Sequence, residues 1–216
     1  MGLEEELKYR LQDETALERV ARILGPPTCE TVQHNVYFDT PGLKLHRSGI
    51  LLRLRREEGK PGGILTLKKA VVLQPGRIVA EEQERNLSAR RVQELLEKPS
   101  EVLQSLDLSL AAAVLEELHG AALQRAGDLI THRRSYELPE GELALDLVKF
   151  PDGSECEVEL ETEHAQQGRR FLERLFESAG VTAFPEGEPK SGRLFKRLGL
   201  LGRGADVEPG GSEGLR

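Results

Sequence analysis

The chain has no tryptophan, only three tyrosines and six phenylalanines, and only two cysteines. Cys29 and Cys156 lie far apart and without CxxC spacing, which argues against a zinc site and against a disulfide framework. Cys156 falls on the apolar parity of its strand and reads as a small core residue. No apolar run approaches the length needed to cross a bilayer, so no membrane partner is expected. The first residues carry Glu4, Glu5 and Glu6 in place of a basic segment followed by an apolar one, so no secretory signal is visible and a cytoplasmic location is expected. Basic residues are in the minority. A net charge of -7 over 216 residues disfavours broad nucleic-acid binding, although it leaves room for a local basic pocket.

What is present is charge arranged by parity. Read as a strand, the run from Glu4 to Leu11 places Glu4, Glu6, Lys8 and Arg10 on one face and Leu7, Tyr9 and Leu11 on the other. Arg53 and Arg55 share a face opposite Leu52 and Leu54, and Lys68 shares one with Thr66 between Leu65 and Leu67. Glu155, Glu157, Glu159 and Glu161 line up in the same way, with Cys156, Val158 and Leu160 behind them. A solvated outer face explains any one of these strands alone. Same-face neighbours lie roughly 6.5 to 7 Å apart, so rows of like charge repel unless opposite charge sits among them. Carboxylates in one place and Arg or Lys in another are what a metal-bound polyphosphate requires. The carboxylates hold the cation and the basic groups hold phosphate oxygens.

Asp13 to Leu24 reads as a helix stopped by Gly25-Pro26-Pro27, and Glu30–Asp39, Gly49–Glu58, Ile64–Ala70 and Arg77–Leu87 read as strands. Ser88 caps a helix to Lys98, and Ser100 opens a second helical stretch reaching His119-Gly120. Val102, Leu103, Leu106, Leu110, Val114 and Leu118 approximate one stripe of that stretch, a helical insertion over 88–120. Strand character resumes in Asp128–Leu138, Glu142–Phe150 and Ser154–Glu161, and a helix capped by Thr162 runs to Ala179. Pro185 to Pro189 reads as loop, Lys190-Ser191 leads a short helix, and residues 201–216 read as a disordered tail. The expectation is one domain over 1–200, an α+β fold built on an eight-stranded antiparallel β-barrel. Its ionic parity faces a wet, charged tunnel and its apolar parity faces outward beneath helices.

Glu4-x-Glu6-x-Lys8 is the ExExK signature that opens the CYTH superfamily, the triphosphate tunnel metalloenzymes, and the chain resembles that family from Glu4 to about Leu198. Tyr37-Phe38-Asp39-Thr40, Arg53-x-Arg55, Thr66-x-Lys68, Glu82-x-Glu84, Arg133 to Tyr136, Glu157-Val158-Glu159 and Lys190-Ser191 follow in the family's order. The aromatic often found after that serine is absent, and Gly192-Arg193 stands in its place.

The resemblance implies a metal-dependent hydrolase of a linear triphosphate, either inorganic or carried on a small organic group such as thiamine. It implies that Glu4, Glu6, Glu157 and Glu159 hold Mg²⁺ or Mn²⁺ and that Glu4, Glu6, Lys8 and Glu159 carry catalysis. Lys8, Arg10, Arg53, Arg55, Lys68, Glu84, Arg133 and Lys190 then form the substrate-binding set. Glu82 accompanies Glu84, because the register of that strand is open and Arg77 or Arg85 could face the phosphates. Arg133 is chosen over Arg134 as the inward group, and no general base is identified. Two alternatives stand beside this reading. One is a class IV adenylyl cyclase, in which the ribose hydroxyl of ATP replaces water; the other is a non-catalytic polyphosphate-binding module. The expected partner is a triphosphate-containing small molecule, and both a monomer and a homodimer remain open.

Overall fold

A computed structural model describes residues 2–106 and 108–201, without the side chains of 2, 3, 108–110 and 113. The side chain of Leu110, from the expected helical stripe, and the expected tail from 202 lie outside what is described. Eight strands form the frame: β1 (Gly2–Leu11), β2 (Cys29–Asp39), β3 (Ile50–Glu57), β4 (Gly63–Gln74), β5 (Arg77–Leu87), β6 (Gln124–Leu138), β7 (Gly141–Phe150) and β8 (Gly153–Glu161). They run in the order β1-β5-β4-β3-β2-β6-β7-β8, and every pairing is antiparallel. β1 closes the ring, pairing with β5 through Gly2–Glu6 and with β8 through Glu6–Leu11. Closure removes the free edges of the sheet. A short β9 (Ala183–Pro185) takes the outer half of β1 at Tyr9–Leu11, so Pro185 ends a strand rather than opening a loop.

The strand parity decides where the apolar groups go. Leu7, Tyr9, Leu11, Val158 and Leu160 point outward, beneath α1 (Glu14–Leu24) and α5 (Ala165–Ala179). α1 begins on Asp13, whose carboxylate accepts from Ala16 N at 2.8 Å, and it ends at Gly25, which takes φ +82°. Its Leu17, Val20 and Ala21 share one apolar cluster with Leu172, Leu175 and Phe176 of α5. Thr162 does not cap α5. That helix starts at Ala165, and the Thr162 hydroxyl instead accepts from the backbone N–H of His164.

On the other side of the barrel, Val36, Phe38, Leu52, Leu54, Leu65 and Leu67 are covered by the insertion. The stretch after Ser100 is not one helix. α3 (Ala89–Glu97) is followed by a 3₁₀ turn over Pro99–Ser105, then by α4 (Leu108–Leu118). Pro99 lacks an N–H and so opens this new segment rather than continuing α3. A further short helix, α2 (Lys44–Arg47), has no counterpart in the sequence reading. It is fixed by Asp39, which accepts from the backbone N–H groups of Thr40, Leu45 and His46.

The lumen is not ionic throughout. The parity that turns Arg133 and Asp146 inward also turns Leu129, Val148 and Phe150 inward, and these pack on Leu194 and Phe195 of α6 (Lys190–Arg197). α6 lies directly on β6: a Cβ at Gly127 would stand 2.8 Å from Leu194 Cδ2. One end of the barrel is therefore stoppered by an apolar contact, and the charged part of the lumen is a pocket above it. Among the described residues no helix is long and apolar enough to cross a membrane.

Candidate functional site

The pocket has a volume of about 420 Å³ and is walled by all eight strands of the ring, together with α2 and α6. Its charges fall into three groups. At the floor, Asp146, Glu157 and Glu159 bring carboxylate oxygens within 4.8 Å of one another. That spacing would suit a cation, but the cations are already there as side chains. Lys8 Nζ lies 2.8 Å from Glu159 and 3.0 Å from Glu157. Lys190 Nζ lies 2.8 Å from Asp146 and 3.0 Å from Glu157, and it also pairs with Glu159. Arg133 grips Asp146 with two bonds of 2.8 and 2.6 Å and reaches Glu159 as well, while Arg193 pairs with Glu157 from behind.

Burial alone would push these three carboxyl groups up, but the surrounding Lys190, Lys8 and Arg133 hold Glu159 well below the usual carboxylate range. Asp146 is lowered as well, because Arg133 and Lys190 outweigh its burial; for Glu157, Lys190 and Lys8 do the same. Lys8 and Lys190 are raised in turn, since the carboxylates outweigh the cost of burying an ammonium. This floor is an ionic cluster in which each carboxylate is already paired with ammonium or guanidinium groups.

The second group is short of positive charge. Of Glu4, Glu6, Glu82 and Glu161, only Glu4 and Glu82 lie against Lys68 among the described residues, at 2.9 and 2.5 Å. The Glu6 Oε1 atom is buried and accepts no hydrogen bond, and its nearest cation, Lys8 Nζ, is 4.0 Å away. Burial and the charge of Glu159 push Glu6 up to about 7. Burial and a shared hydrogen bond with Glu4 push Glu82 up to about 8. The same bond, with the charge of Lys68, overcomes burial and takes Glu4 down to about 2. Glu161 stands at the exposed edge and is also raised, by burial of its carboxyl and by the charge of Glu4. Without a cation, this group can stay compact only by keeping protons. An orphaned buried oxygen on Glu6, beside other carboxylates, is the kind of donor a hard divalent ion takes.

The third group is short of negative charge. Arg53 pairs with Glu84 at 3.8 Å and bonds the Thr66 hydroxyl at 3.1 Å, while its buried Nε has no partner. Among the described residues Arg55 donates only to Asn35. Burial, with Arg53 and Arg133 nearby, pushes its guanidinium down to about 9, which still leaves it protonated at neutral pH. Carboxylates with too few cations and an arginine, Arg55, with no ion pair among the described residues thus face one cavity. What completes both groups is a ligand that is itself an anion and carries a cation with it.

A CYTH domain model matches residues 2–188. The chain belongs to the CYTH domain family, the triphosphate tunnel fold. Among its relatives is YjbK of Bacillus subtilis strain 168, named as a candidate triphosphatase, 29% identical over 167 residues that cover 74% of this chain and 76% of YjbK. HpAC1 from Hippeastrum, described as a candidate adenylyl cyclase with a dominant triphosphatase activity, superposes with a TM-score of 0.80 at 27% identity, covering 91% of this chain and 96% of that one. A Bacillus halodurans protein named as a candidate adenylate cyclase gives a TM-score of 0.70 over 90% of this chain and all of its own; at 23% identity it speaks for the fold alone.

This CYTH barrel brings together most of the expected residues. Glu4, Glu6, Lys8, Arg53, Arg55, Lys68, Glu84, Arg133, Glu159 and Lys190 all line the one pocket, and Glu82 joins them. Arg133 faces inward, whereas Arg134 turns out to Glu18. Arg10 is not brought in. Its side chain leaves the barrel where β1 pairs with β9, is 45% exposed and has only Glu155, 3.9 Å away, as an ion-pair partner among the described residues. Glu157 shares the inward parity but lies under the floor, fully buried and bonded to cations, so the structure separates it from the carboxylates that lack one.

Three participants lie outside the expected site set. Asp146 stands alone between Leu145 and Leu147, so its strand shows no row of like charge, although its parity matches the pocket. Glu161 ends a row of glutamates, and only the register Glu6↔Glu161 shows that it joins Glu6. Arg193 is brought in by the seating of α6, a long-range contact that leaves no periodic trace in the sequence.

Proposed function

We propose that the protein is a Mg²⁺- or Mn²⁺-dependent hydrolase of a linear triphosphate, inorganic or carried on a small organic group, releasing orthophosphate. The observation that carries this reading is the meeting of two incomplete charge groups in one cavity: four glutamates of which Lys68 pairs with two, and Arg55, which has no acidic partner among the described residues. The triphosphatase wording in the names of YjbK and HpAC1 points the same way. When bound, the metal would supply a Lewis acid for phosphoryl oxygens and a lowered pKa for an attacking water.

The protein's own side chains account for the rest. Glu4, Glu6 and Glu161 would hold the ion, and Glu82 would complete the acidic wall. Arg53 and Arg55 would take phosphate oxygens through planar donor forks that match their geometry. Lys8, Lys190 and Arg133, already fixed by the floor carboxylates, would present charge toward the phosphate that leaves. Cations held in place before substrate arrives need little reorganisation in the transition state. The apolar stopper of Leu129, Val148, Phe150, Leu194 and Phe195 closes the pocket below.

The test is to incubate the purified protein with tripolyphosphate, thiamine triphosphate and ATP, with Mg²⁺, Mn²⁺ or chelator, and to identify every product. Metal-dependent orthophosphate is expected. Cyclic AMP with pyrophosphate would replace the reading by a cyclase, and tight binding without turnover would replace it by a binding module.

A further inference from the structure

Behind the pocket floor lies a second row of charge. Glu157 Oε2 stands 3.0 Å from both Lys8 Nζ and Lys190 Nζ, while its other oxygen accepts from Arg193 Nη2. Arg193 is only 5% exposed and does not line the pocket. It also reaches Glu155 through Nε at 3.3 Å and Glu186 through Nη1 at 3.1 Å, so one guanidinium ties α6 to β8 and to the segment after β9. That segment is bound to the strand carrying Lys8, because the Glu186 N–H donates to the Lys8 carbonyl at 3.0 Å. The turn of α6 that carries Lys190 is tightly seated: a Cβ at Gly192 would stand 2.9 Å from Glu188 Oε1 and 3.1 Å from His46 Cε1.

Resting on the phosphate-binding reading above, we propose that Arg193 is a positioning residue that acts through Glu157, and that Glu157 is the counter-ion of two substrate lysines rather than a metal ligand. A guanidinium that donates to Glu157 and stands between the charges of Glu155 and Glu186 is held in place, and its one hydrogen bond orients the carboxylate it meets. Glu157 then offers its second oxygen at one place, and the flexible stems of Lys8 and Lys190 converge there. Arg193 also follows Lys190 by three residues on the same helix, so anchoring one sets the height of the other. Without Arg193 the Glu157 carboxylate is free to turn, its whole charge falls to the two lysines, and both ammonium groups are drawn down from the pocket.

The test is a double-mutant cycle of Arg193→Gln and Glu157→Gln. It is read by calorimetric Kd for tripolyphosphate in chelator and by KM and kcat with Mg²⁺. Arg193→Gln should raise Kd and KM by about tenfold while kcat changes by less than about threefold, and it should add less than about twofold in the Glu157→Gln background. Arg193→Lys, which keeps the charge and loses the fork, should fall between; if Arg193→Gln does not fold, the cycle is read with Arg193→Lys. An unchanged Kd in the Arg193 variant, or losses that multiply in the double variant, overturns the proposal. Wild-type protein that binds tripolyphosphate but never hydrolyses it sinks the hydrolase reading and leaves the cycle readable. Wild-type protein that does not bind it sinks both.

Discussion

Arg55 Nε donates to the Asn35 side-chain oxygen at 3.0 Å, and the guanidinium has no ion pair among the described residues. A half-buried cation held by one neutral amide and pressed by Arg53 and Arg133 is a destabilising feature of the empty barrel. Arg55→Met should therefore leave the melting temperature unchanged or higher, while kcat/KM for tripolyphosphate falls by about 10²-fold. Melting curves and initial rates on the same preparation check both halves. A variant that melts lower and still turns over at the wild-type rate would show that Arg55 serves the fold and not the ligand.

The same residue shows how much was legible beforehand. Arg53-x-Arg55 between leucines announces a charged face, and closure of eight such strands turns that face inward, so the barrel and most of the pocket wall follow from parity. Parity does not tell which charges cancel. Glu157 and Glu159 look alike in a row of glutamates, yet only Glu159 reaches the pocket, while Glu157 is met from behind by Arg193 of α6. Arg10 has the parity of Lys8 and still leaves the site, since two residues further along β1 the barrel wall gives way to β9. Leu129, Val148 and Phe150 occupy inward positions that the charge pattern could not flag, and their role depends on where α6 docks.

Glu6 is the most exacting position in the acidic group. Its buried Oε1 has no hydrogen-bond donor and its carboxyl is pushed up to about 7, first by burial and then by Glu159. Replacing it by Gln removes one oxygen donor and relieves repulsion in the empty pocket. Turnover should drop by at least about 10²-fold at saturating Mg²⁺, while the melting temperature in chelator at pH 8 stays equal or rises. Wild-type rates in the Gln variant under saturating metal would remove Glu6 from the metal site.

The two thiols differ in a way that labelling can read without any ligand. Cys29 is exposed at the start of β2, whereas Cys156 is buried between the barrel and α1. Burial, followed by the charges of Glu14 and Asp13, pushes the Cys156 thiol up to about 12. Only a thiolate reacts readily, so iodoacetamide on the native protein should stop at one label per chain, located at Cys29 by peptide mass. Labelling should reach both cysteines in denaturant. Rapid modification of Cys156 in the native state would mean that the packing of α1 against β8 opens far more easily than its contacts imply.

The acidic group also sets a pH dependence whose sign is fixed by its direction of shift. Glu6 and Glu82 titrate near 7 and 8 in the folded protein against an ordinary 4.5. The folded state therefore binds those protons more tightly than the unfolded chain. Their contribution to stability is complete below the ordinary value and is lost as pH rises through 7 to 8. Glu4, near 2, and the lowered Asp146, Glu157 and Glu159 work the other way: their contribution is present above the ordinary carboxylate range and is lost as pH falls below it. In chelator the melting temperature should peak between about pH 5 and 6.5 and fall by several degrees toward pH 8.5. Millimolar Mg²⁺ should restore it mainly at the alkaline end, because a bound cation replaces the protons that the carboxylates have released. A metal-free melting temperature that rises from pH 6 to 8.5, or a Mg²⁺ effect equally large at pH 5, would contradict the crowding of Glu4, Glu6 and Glu82 in one acidic wall.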